Sequence, residues 1–299
     1  MSYAPVALFV YKRLDHVKKT IESLKRAEMS DMTELFIFSD GSKNIEDAEQ
    51  VNDVREYIQA IDGFLKVIIT KRDSNYGLSR SIVEGVSEVL SKYGKIVVLE
   101  DDLVVSKYFL KFMNSALDLY KDNDEVISIH GYVYPADGEY PETFFLRGAD
   151  CWGWATWDRG WRHYNPDGKY LLQQLYNRKL HKVFDFDCTY PYMRMLRNQV
   201  KGKNDSWAVR WYASAFLANK LTLYPGISLV KNIGNDESGS HSKKTNIYDV
   251  ELISKDINVE KLNFTQSVAA RNLFKKYFKR NIWLRLKSYF TLKLWMAND

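Results

Sequence analysis

The sequence predicts an α/β protein with a mostly parallel central sheet. In the first 130 or so residues, short β-rich runs alternate with longer segments whose apolar residues recur every three or four positions. Strands that alternate with helices form right-handed βαβ units, and such units build parallel sheets. The apolar run Ile96–Leu99 has no polar interruption, which is typical of a strand buried on both faces.

The individual elements follow from this alternation. The predicted strands are Val6–Val10, Leu35–Phe38, Leu65–Ile69, Ile96–Leu99 and Val126–Ile129. The predicted helices between them are His16–Arg26, Ile45–Ala60, Leu78–Lys92 and Tyr108–Tyr120. After Gly131 the chain becomes rich in Pro, Gly, Tyr and Trp, and it continues through the helical Trp207–Leu217, the strand-like Leu221–Tyr224 and a polar loop over 232–244. We expect two halves of one domain, 1–130 and 131–250, because no flexible linker separates them, followed by a helical region over 251–299.

Composition excludes several classes of protein. The chain has 299 residues, of which 45% are apolar and 14% aromatic, so it can form a packed core and is not disordered. Cys151 and Cys188 match no metal or redox spacing and favour a reducing compartment. No run approaches the ~18 apolar residues that span a membrane, and Val6–Val10 is too short for the apolar part of a signal peptide. We therefore expect a cytoplasmic protein.

Basic residues are concentrated at the C-terminus. Residues 271–299 contain eight Lys or Arg residues against the single acid Asp299, within a net charge of +5 for the chain. Apolar and basic residues separate on a helical wheel there. A helix over 271–296 could attach peripherally to anionic lipid at the inner face of a cell membrane, or it could dock on the domain with a solvated basic face. Nucleic acid is not an expected partner, because no nucleic-acid-binding fold accompanies the charge.

Three consecutive carboxylates follow the strand at Ile96–Leu99: Glu100, Asp101 and Asp102. Their charges repel one another unless a cation lies close to them. Ligands of open α/β sheets bind beyond the carboxyl ends of the strands, and Mg²⁺ and Mn²⁺ prefer carboxylate oxygens and bridge to phosphates. The pattern predicts a metal–diphosphate site, with an acidic surface turn as the alternative.

Polar residues also follow the neighbouring strands at the same edge of the predicted sheet. Tyr11 and Arg13 follow the first strand, Asp40 follows the second, and Asn75-Tyr76-Gly77-Leu78 opens the helix after the third. A carboxylate in the place of Asp40 can accept hydrogen bonds from a nucleobase or ribose, or it can shape an ordinary turn. Gly77 permits close approach of the backbone, and a helix N-terminus attracts phosphate.

These segments, in this order, resemble nucleotide-sugar glycosyltransferases of the GT-A (Rossmann-like) fold, close to the family-two enzymes and similar to N-acetylglucosaminyltransferase I. The resemblance covers roughly residues 4–245 and is carried by Pro5–Tyr11, Phe38–Ser42, Asn75–Leu78, Val98–Leu103, Cys151–Trp157, Asp205–Trp211 and Asn232–Gly234. It implies that residues 1–130 bind the nucleotide sugar and that residues 131–250 form the acceptor-binding and catalytic half.

The resemblance implies roles for individual residues. Asp102 would bind Mn²⁺ or Mg²⁺, Glu100 and Asp101 would lie near the ribose and the donor sugar, and Asp40 would contact uracil or another base. The other nucleotide-binding residues would be Tyr11, Arg13, Asn75, Gly77 and Leu78.

The second half would supply the acceptor side. By resemblance Asp205 would be the general base for the acceptor hydroxyl, with a helix N-cap as the alternative and Asp236 and Glu237 as rivals. His241, in the polar loop with Asp236, would bind the metal or a phosphate as the loop closes over the diphosphate. We expect Asp236 to contact substrate as well.

Four tryptophans lie between Trp152 and Trp161. Trp152 and Trp154 would lie near the donor or acceptor sugar, because aromatic faces stack on sugar C–H surfaces. Trp157 and Trp161 would be structural.

The leading hypothesis is a metal-dependent inverting hexosyl- or N-acetylhexosaminyltransferase that uses a UDP-sugar. Its acceptor would be a glycan or a lipid-linked glycan in bacterial surface polysaccharide synthesis. A nucleotidyltransferase is less favoured, because Phe9–Leu14 lacks the glycines of a phosphate-binding loop. An inactive relative that serves as a glycan-binding or membrane scaffold subunit is the alternative.

Overall fold

The computed structural model describes residues 3–236 and 245–281. Within these ranges the strands are β1 Val6–Val10, β2 Glu34–Ser39, β3 Lys66–Lys71, β4 Lys95–Glu100, β5 Leu103–Val105, β6 Val126–His130, β7 Thr143–Arg147, β8 Trp154–Trp157, β9 Leu221–Pro225 and β10 Val230–Asn232. The α-helices are α1 Leu14–Lys25, α2 Ile45–Gln59, α3 Gly77–Tyr93, α4 Phe109–Leu119, α5 Asp158–Trp161, α6 Gly168–Asn177, α7 His181–Phe184, α8 Tyr192–Val200 and α9 Trp207–Leu217. A C-terminal helix begins at residue 268 and reaches residue 281, where the description ends.

The central sheet has the order β3-β2-β1-β4-β8-β6-β9-β7. β3, β2, β1 and β4 are parallel neighbours, as the βαβ pattern predicts. β8 runs antiparallel to both β4 and β6, and β7 runs antiparallel to β9. The predicted α/β fold with a mostly parallel sheet is therefore confirmed, and β7 and β8 are additional strands that the sequence analysis did not predict. A separate two-stranded ribbon joins β5 to β10.

The sheet separates two hydrophobic cores. Along β1, Val6, Leu8 and Val10 belong to the core on one side of the sheet, and Ala7 and Phe9 belong to the core on the other. This alternation is the period-two pattern of a strand, applied to a sheet that is covered on both faces. Full burial of each large aliphatic side chain contributes about 1.5–3 kcal/mol, so packing on both faces stabilises the strands of the sheet.

The C-terminal helix is docked on the domain over its described part. Phe274, Tyr277 and Phe278 are buried, and their rings lie 5.0, 5.4 and 4.9 Å from the ring of Tyr134. Of the two arrangements that the sequence left open, residues 268–281 adopt the docked one, and their apolar face is covered by protein. The rest of the proposed lipid-binding segment lies outside the described residues. No helix in the described ranges is both long and apolar enough to cross a membrane.

Asp187, in the second half of the domain, forms ion pairs with this helix. Its carboxylate lies 2.7 Å from Nη1 of Arg271 and 2.7 Å from Nζ of Lys275. Asp187 is the middle of three consecutive residues with positive φ, of 49°, 57° and 65° for Phe186, Asp187 and Cys188. Such backbone costs energy for residues other than glycine, so the contacts around Asp187 stabilise an unusual turn.

Candidate active site

The acidic triplet, Glu100, Asp101 and Asp102, lies at the carboxyl end of β4, and Arg13 lies against it. Nη2 of Arg13 donates to Oδ2 of Asp102 at 2.8 Å and also to Oδ1 of Asp101. β1 and β4 are parallel, with Phe9 paired to Glu100, so the residues that follow the two strands meet at one edge. Arg13 therefore supplies the cation that three adjacent carboxylates require.

Burial raises the pKa of Glu100 further than that of Asp101, so the two carboxyl groups lose their protons at different pH values. Burial, with the charges of Asp102 and Asp101, raises the pKa of Glu100 to about 8. Burial also raises the pKa of Asp101 to about 6, although the charge of Arg13 acts in the opposite direction. At neutral pH Glu100 is largely protonated and can donate a hydrogen bond. It is thereby suited to contact with a hydroxyl group rather than with a cation.

β10 and the residues after it cover the triplet from another side. β10 pairs with β5, and Ile233 donates its backbone N–H to the carbonyl oxygen of Asp102 at 2.9 Å. The backbone of Gly234 comes so close that a Cβ there would lie 2.1 Å from Oδ2 of Asp102. Glycine at 234 therefore allows the chain to pass directly over the carboxylate.

The polar loop that we expected over the diphosphate starts from this point. Asp236, whose side chain is 46% exposed, has its carboxylate 3.1 Å from Nε2 of His16 on α1. The structure thus brings Asp236 towards the triplet, as expected of a substrate contact, but its role stays a prediction. His241 and Glu237 lie in the range 237–244, outside the described residues.

The neighbouring carboxylates of Asp101 and Asp102 fit a divalent cation that takes most of its ligands from a diphosphate. Mg²⁺ is commonly held by one or two carboxylates together with phosphates. Within the described residues, no three His, Cys, Asp or Glu side chains gather as a metal-binding group. Asp102, the predicted metal ligand, is bonded to Arg13, so a cation bound there would compete with Arg13.

Asp40 holds the loop that begins α3. Its Oδ1 accepts backbone N–H groups of Gly41 and Tyr76 at 2.9 and 2.8 Å, and its Oδ2 accepts the N–H of Gly77 at 2.9 Å and Nδ2 of Asn75 at 3.1 Å. A carboxylate accepts about four hydrogen bonds, so Asp40 is fully engaged. It also takes backbone donors that a helix N-terminus would otherwise offer to phosphate. Contact of Asp40 with a nucleobase requires exchange of one of these bonds and stays a prediction.

Tyr11 follows β1, and Leu78 lies at the start of α3. The hydroxyl of Tyr11 donates to Oδ2 of Asp47 at 2.8 Å and accepts the N–H of Lys43 at 3.0 Å. Burial and the bond to Asp47 raise the pKa of Tyr11 to about 12, so it stays protonated. Leu78 is 48% exposed on the first turn of α3. Both remain predicted ligand contacts.

Asp205 lies beside α9 and does not cap it. The N-cap is Ser206, whose hydroxyl accepts the N–H of Val209 at 3.2 Å, so the N-cap interpretation of Asp205 is wrong. Oδ1 of Asp205 accepts a bond from Nη2 of Arg210 at 2.9 Å, and the same nitrogen donates to Oγ of Ser79 at 2.6 Å. The Asp205 side chain is 74% exposed, whereas that of Arg210 is 10% exposed.

The Arg210 bridge links the two halves of the domain, because Ser79 belongs to the first half and Asp205 to the second. Sequence analysis singled out neither Arg210 nor Ser79 as a site residue. A signal was present, since Arg210 lies within the motif that begins with Asp205 and a buried arginine requires polar partners.

Trp154 has no exposed face for a sugar and serves the core instead. It is 0% exposed on β8. Its aromatic neighbours are Trp161, Trp207 and Trp211, with ring centroids 5.7, 5.6 and 5.9 Å away. Trp157 is also buried, in keeping with its expected structural role. Trp152 is half-buried and keeps surface that a ligand could reach.

Comparisons with known proteins give one family match and several structural similarities. A family model described as glycosyl transferase family 2 matches residues 6–194. A search of curated proteins gave no significant match. The mannosyltransferase PcManGT from Pyrobaculum calidifontis, solved in complex with GDP-Man and Mn²⁺, aligns at 13% identity and a TM-score of 0.34, over 44% of this chain and 36% of that one. S. aureus TarS 1-349 aligns at 11% identity and a TM-score of 0.35, over 52% of this chain and 47% of that one.

This chain thus spans less than half the length of either solved structure. The similarity to N-acetylglucosaminyltransferase I stays a prediction. The family model, in contrast, covers more than half of the chain, and the predicted family and GT-A fold are confirmed. The chain belongs to glycosyl transferase family 2.

Proposed function

We propose that this protein is a metal-dependent, inverting glycosyltransferase that moves a sugar from a nucleotide-diphosphate donor to a glycan or lipid-linked glycan. The observation that carries the proposal is the contact of Arg13 with Asp101 and Asp102 at the carboxyl end of β4. We expect a charged donor to bind at this edge of the sheet, since ligands of open α/β sheets lie beyond the strand ends.

The donor would lie along the sheet edge. Asp40, directly after β2, and Asn75, in the loop before α3, would face the nucleoside, and the acidic triplet at the end of β4 would face the diphosphate. Mn²⁺ or Mg²⁺ held by Asp102, with His241 as a second predicted ligand, would neutralise the charge that develops on the leaving diphosphate. Arg13 would exchange a carboxylate for a phosphate oxygen as the donor enters, because a guanidinium binds both kinds of oxyanion well.

The acceptor hydroxyl would be activated by Asp205. Inversion requires a base on the face of the sugar opposite the leaving group, so the base must come from outside the nucleotide-binding half. Asp205 lies in the second half, is 74% exposed and is oriented by Arg210. In the transfer step the carboxylate takes the proton of the hydroxyl, the oxygen bonds to the anomeric carbon, and the bond to the diphosphate breaks.

UDP as the nucleotide and bacterial surface polysaccharide as the pathway rest on the family resemblance and belong to this proposal. The alternative function, an inactive glycan-binding or membrane scaffold subunit, would keep the fold without turnover. The experiment below distinguishes the two.

The test is a thermal-shift screen of UDP- and GDP-sugars with and without Mn²⁺, followed by measurement of nucleoside diphosphate release. A ligand that binds only the folded state raises the melting temperature. We expect a Mn²⁺-dependent shift for at least one nucleotide sugar and release of its diphosphate, both lost in Asp102→Ala. Binding without release across a panel of acceptors would support the scaffold, and no binding of any nucleotide or nucleotide sugar would contradict the glycosyltransferase.

A further inference from the structure

A fourth carboxylate, Asp150, lies at the same edge of the sheet as the acidic triplet. β8 runs antiparallel to β4 with Trp154 paired to Val98, so the residues before Trp154 run beside those that follow Val98. This register brings the segment Asp150–Trp152 next to the triplet. Burial raises the pKa of the Cys151 thiol, and the charges of Asp150, Glu100 and Asp102 raise it further. Cys151 therefore lies close enough to the triplet to interact with its charges.

The carboxylate of Asp150 has hydrogen-bond partners and is still partly exposed. Its Oδ1 accepts the backbone N–H of Cys151 at 2.9 Å, and the Cys151 thiol and the Tyr224 hydroxyl also donate to the carboxylate. About one of its four acceptor positions is left, and its side chain is 20% exposed. Burial raises the pKa of Asp150 to about 6, so the carboxylate is mainly ionised at neutral pH. An ionised carboxylate with acceptor capacity left over and little water around it binds a hydroxyl donor more strongly than one in bulk solvent.

His130 lies behind this carboxylate. It is the last residue of β6 and is 0% exposed, with Nε2 3.8 Å from Oδ2 of Asp150. Within the described residues neither ring nitrogen of His130 has a hydrogen-bond partner, which is unusual because buried polar atoms are nearly always paired. Burial lowers the pKa of His130 to about 3, so the ring is neutral and keeps one donor and one acceptor. A donor at Nε2 would be the natural partner of Asp150 after a shift of less than 1 Å.

Aromatic side chains surround the pair. Tyr224 packs edge-on against His130 at 5.0 Å, and Trp152 packs edge-on against Tyr132 at 4.8 Å. Trp152 is only half-buried. A carboxylate beside an accessible aromatic ring is suited to a sugar, because hydroxyl groups donate to the carboxylate while the C–H face packs on the ring.

The order of strands indicates which part of the donor would reach this place. Along the edge, Asp40 follows β2, the triplet lies two strands away at the end of β4, and Asp150 precedes β8, the next strand after β4. Neighbouring strands are about 4.8 Å apart. A donor with its nucleoside near Asp40 and its diphosphate at the triplet would therefore place its sugar beside Asp150.

We propose that Asp150 binds a hydroxyl group of the donor's sugar, with Trp152 beside that sugar and His130 as the positioning residue of the carboxylate. The inference rests on the proposed function, and it assigns the sugar-binding part of the donor site to residues at the start of β8.

The test compares nucleotides with nucleotide sugars by calorimetry in the presence of Mn²⁺. The probes are UDP, UDP-glucose, UDP-N-acetylglucosamine, GDP and GDP-mannose, titrated into the wild type and into Asp150→Asn. The measured quantity is the gain in affinity of a nucleotide sugar over its own nucleoside diphosphate. We expect Asp150→Asn to reduce this gain about tenfold, which is the effect of a lost hydrogen bond to a charged group, with the affinity for the free diphosphate unchanged.

Asp185→Asn is the matched control. Asp185 is also a partly buried carboxylate that accepts a backbone N–H, from Met193 at 2.6 Å, but it lies in the helical region before α8. This variant should keep the wild-type gain. Binding of the free diphosphate shows that each variant is folded, and Asp150→Ser replaces Asp150→Asn if the latter does not fold.

The role of His130 needs a separate pair of variants. His130→Phe keeps the size of the ring and removes both nitrogens, whereas His130→Gln can place an amide near the position of Nε2. We expect His130→Phe to lose part of the sugar-dependent gain and His130→Gln to restore some of it. A merely structural role would affect the two variants according to packing and would not favour glutamine over phenylalanine.

The outcomes are distinct. If the wild type prefers a nucleotide sugar and Asp150→Asn keeps that preference, this inference is wrong and the proposed function stands. If the wild type binds nucleotide sugars no better than free diphosphates, this inference is also wrong. If it binds neither, the inference and the proposed function both fail.

Discussion

Nη2 of Arg13 lies 2.8 Å from Oδ2 of Asp102 and bonds to Asp101 as well, so one guanidinium nitrogen joins the residues that follow β1 to those that follow β4. The relationship explains how a chain can place three carboxylates in a row at a buried strand end. It also assigns Arg13 two tasks: stabilisation of the free protein and, in our proposal, contact with the donor phosphate.

Removal of Arg13 should destabilise the fold and make it respond to metal. Arg13→Ala leaves two adjacent carboxylates without their cation, and we expect the free energy of unfolding to fall by about 3 kcal/mol. Chemical denaturation with and without Mn²⁺ measures the effect. Mn²⁺ should stabilise the variant more than the wild type, because the ion no longer competes with Arg13. Equal responses of the two proteins to Mn²⁺ would count against a cation site at the triplet.

A methyl group at residue 234 should disable the donor site. In Gly234→Ala the new Cβ would meet Oδ2 of Asp102 at 2.1 Å, so the carboxylate or the backbone of this segment must move. We expect the affinity for a nucleoside diphosphate with Mn²⁺ to fall about tenfold or more, since displacement by even 1 Å is costly in such sites.

Gly202→Ala provides the control for replacement of a glycine away from the site. Gly202 has φ of +68°, and a Cβ there would meet no atom within 4 Å. This variant should lose about 1 kcal/mol of stability and keep normal nucleotide affinity. If both alanine variants bind nucleotide equally well, close approach at Gly234 has no part in binding.

The acceptor-side carboxylate should affect turnover rather than donor affinity. We expect Asp205→Asn to lower the rate of diphosphate release about 100-fold or more, as for loss of a general base, with little change in nucleotide binding. Ser79→Ala, which removes one partner of Arg210 at 2.6 Å, should lower the rate less, because Arg210 keeps its bond to Asp205. An unchanged rate in Asp205→Asn would transfer the role of base to another residue and leave the donor site intact.

The contact of Asp187 with the C-terminal helix should weaken in acid. Hydrogen bonds from Arg271 and Lys275 hold the pKa of Asp187 well below its usual range. A lowered carboxyl pKa stabilises the fold at pH values above the unfolded-state pKa of about 3.9, and this contribution is lost as the pH falls through the folded-state value. Because the side chain is 42% exposed, we expect only about 0.5–1 kcal/mol at pH 7.

Unfolding of wild type and Asp187→Asn at pH 7 and pH 3 checks this sign. Asparagine tolerates the left-handed backbone at residue 187, where φ is +57°, so the variant isolates the charge. The difference in stability between the two proteins should shrink at pH 3. A difference that grows in acid would contradict the assignment.

Periodicity predicted the first half of the fold closely because local pattern determines those elements. β1 has the predicted bounds, and α1 begins two residues before the prediction, at Leu14. β7 and β8 were missed because they are short, aromatic-rich and bordered by glycine or proline. Their strand character depends on partners far along the chain, β9 and β4.

The candidate site, too, could be predicted from the sequence only in part. Parallel strands bring their carboxyl ends to one edge, so the sequence could predict that Arg13, Asp40 and the acidic triplet lie together. It could not predict that Arg13 bonds to Asp101 and Asp102, because those contacts depend on strand register and side-chain packing. The position of Asp150 could not be predicted for the same reason, since it follows from the antiparallel register of β8.

The assignment of the acidic triplet as the diphosphate site is tested most directly by titration. A nucleoside diphosphate is titrated into wild type, Asp102→Asn and Asp122→Asn, with and without Mn²⁺. Asp122 is exposed on the turn after α4 and serves as the control for loss of one negative charge. We expect Mn²⁺-dependent binding in the wild type and in Asp122→Asn, and its loss in Asp102→Asn. Equal Mn²⁺-dependent affinity in all three proteins would contradict the assignment of the acidic triplet as the diphosphate site.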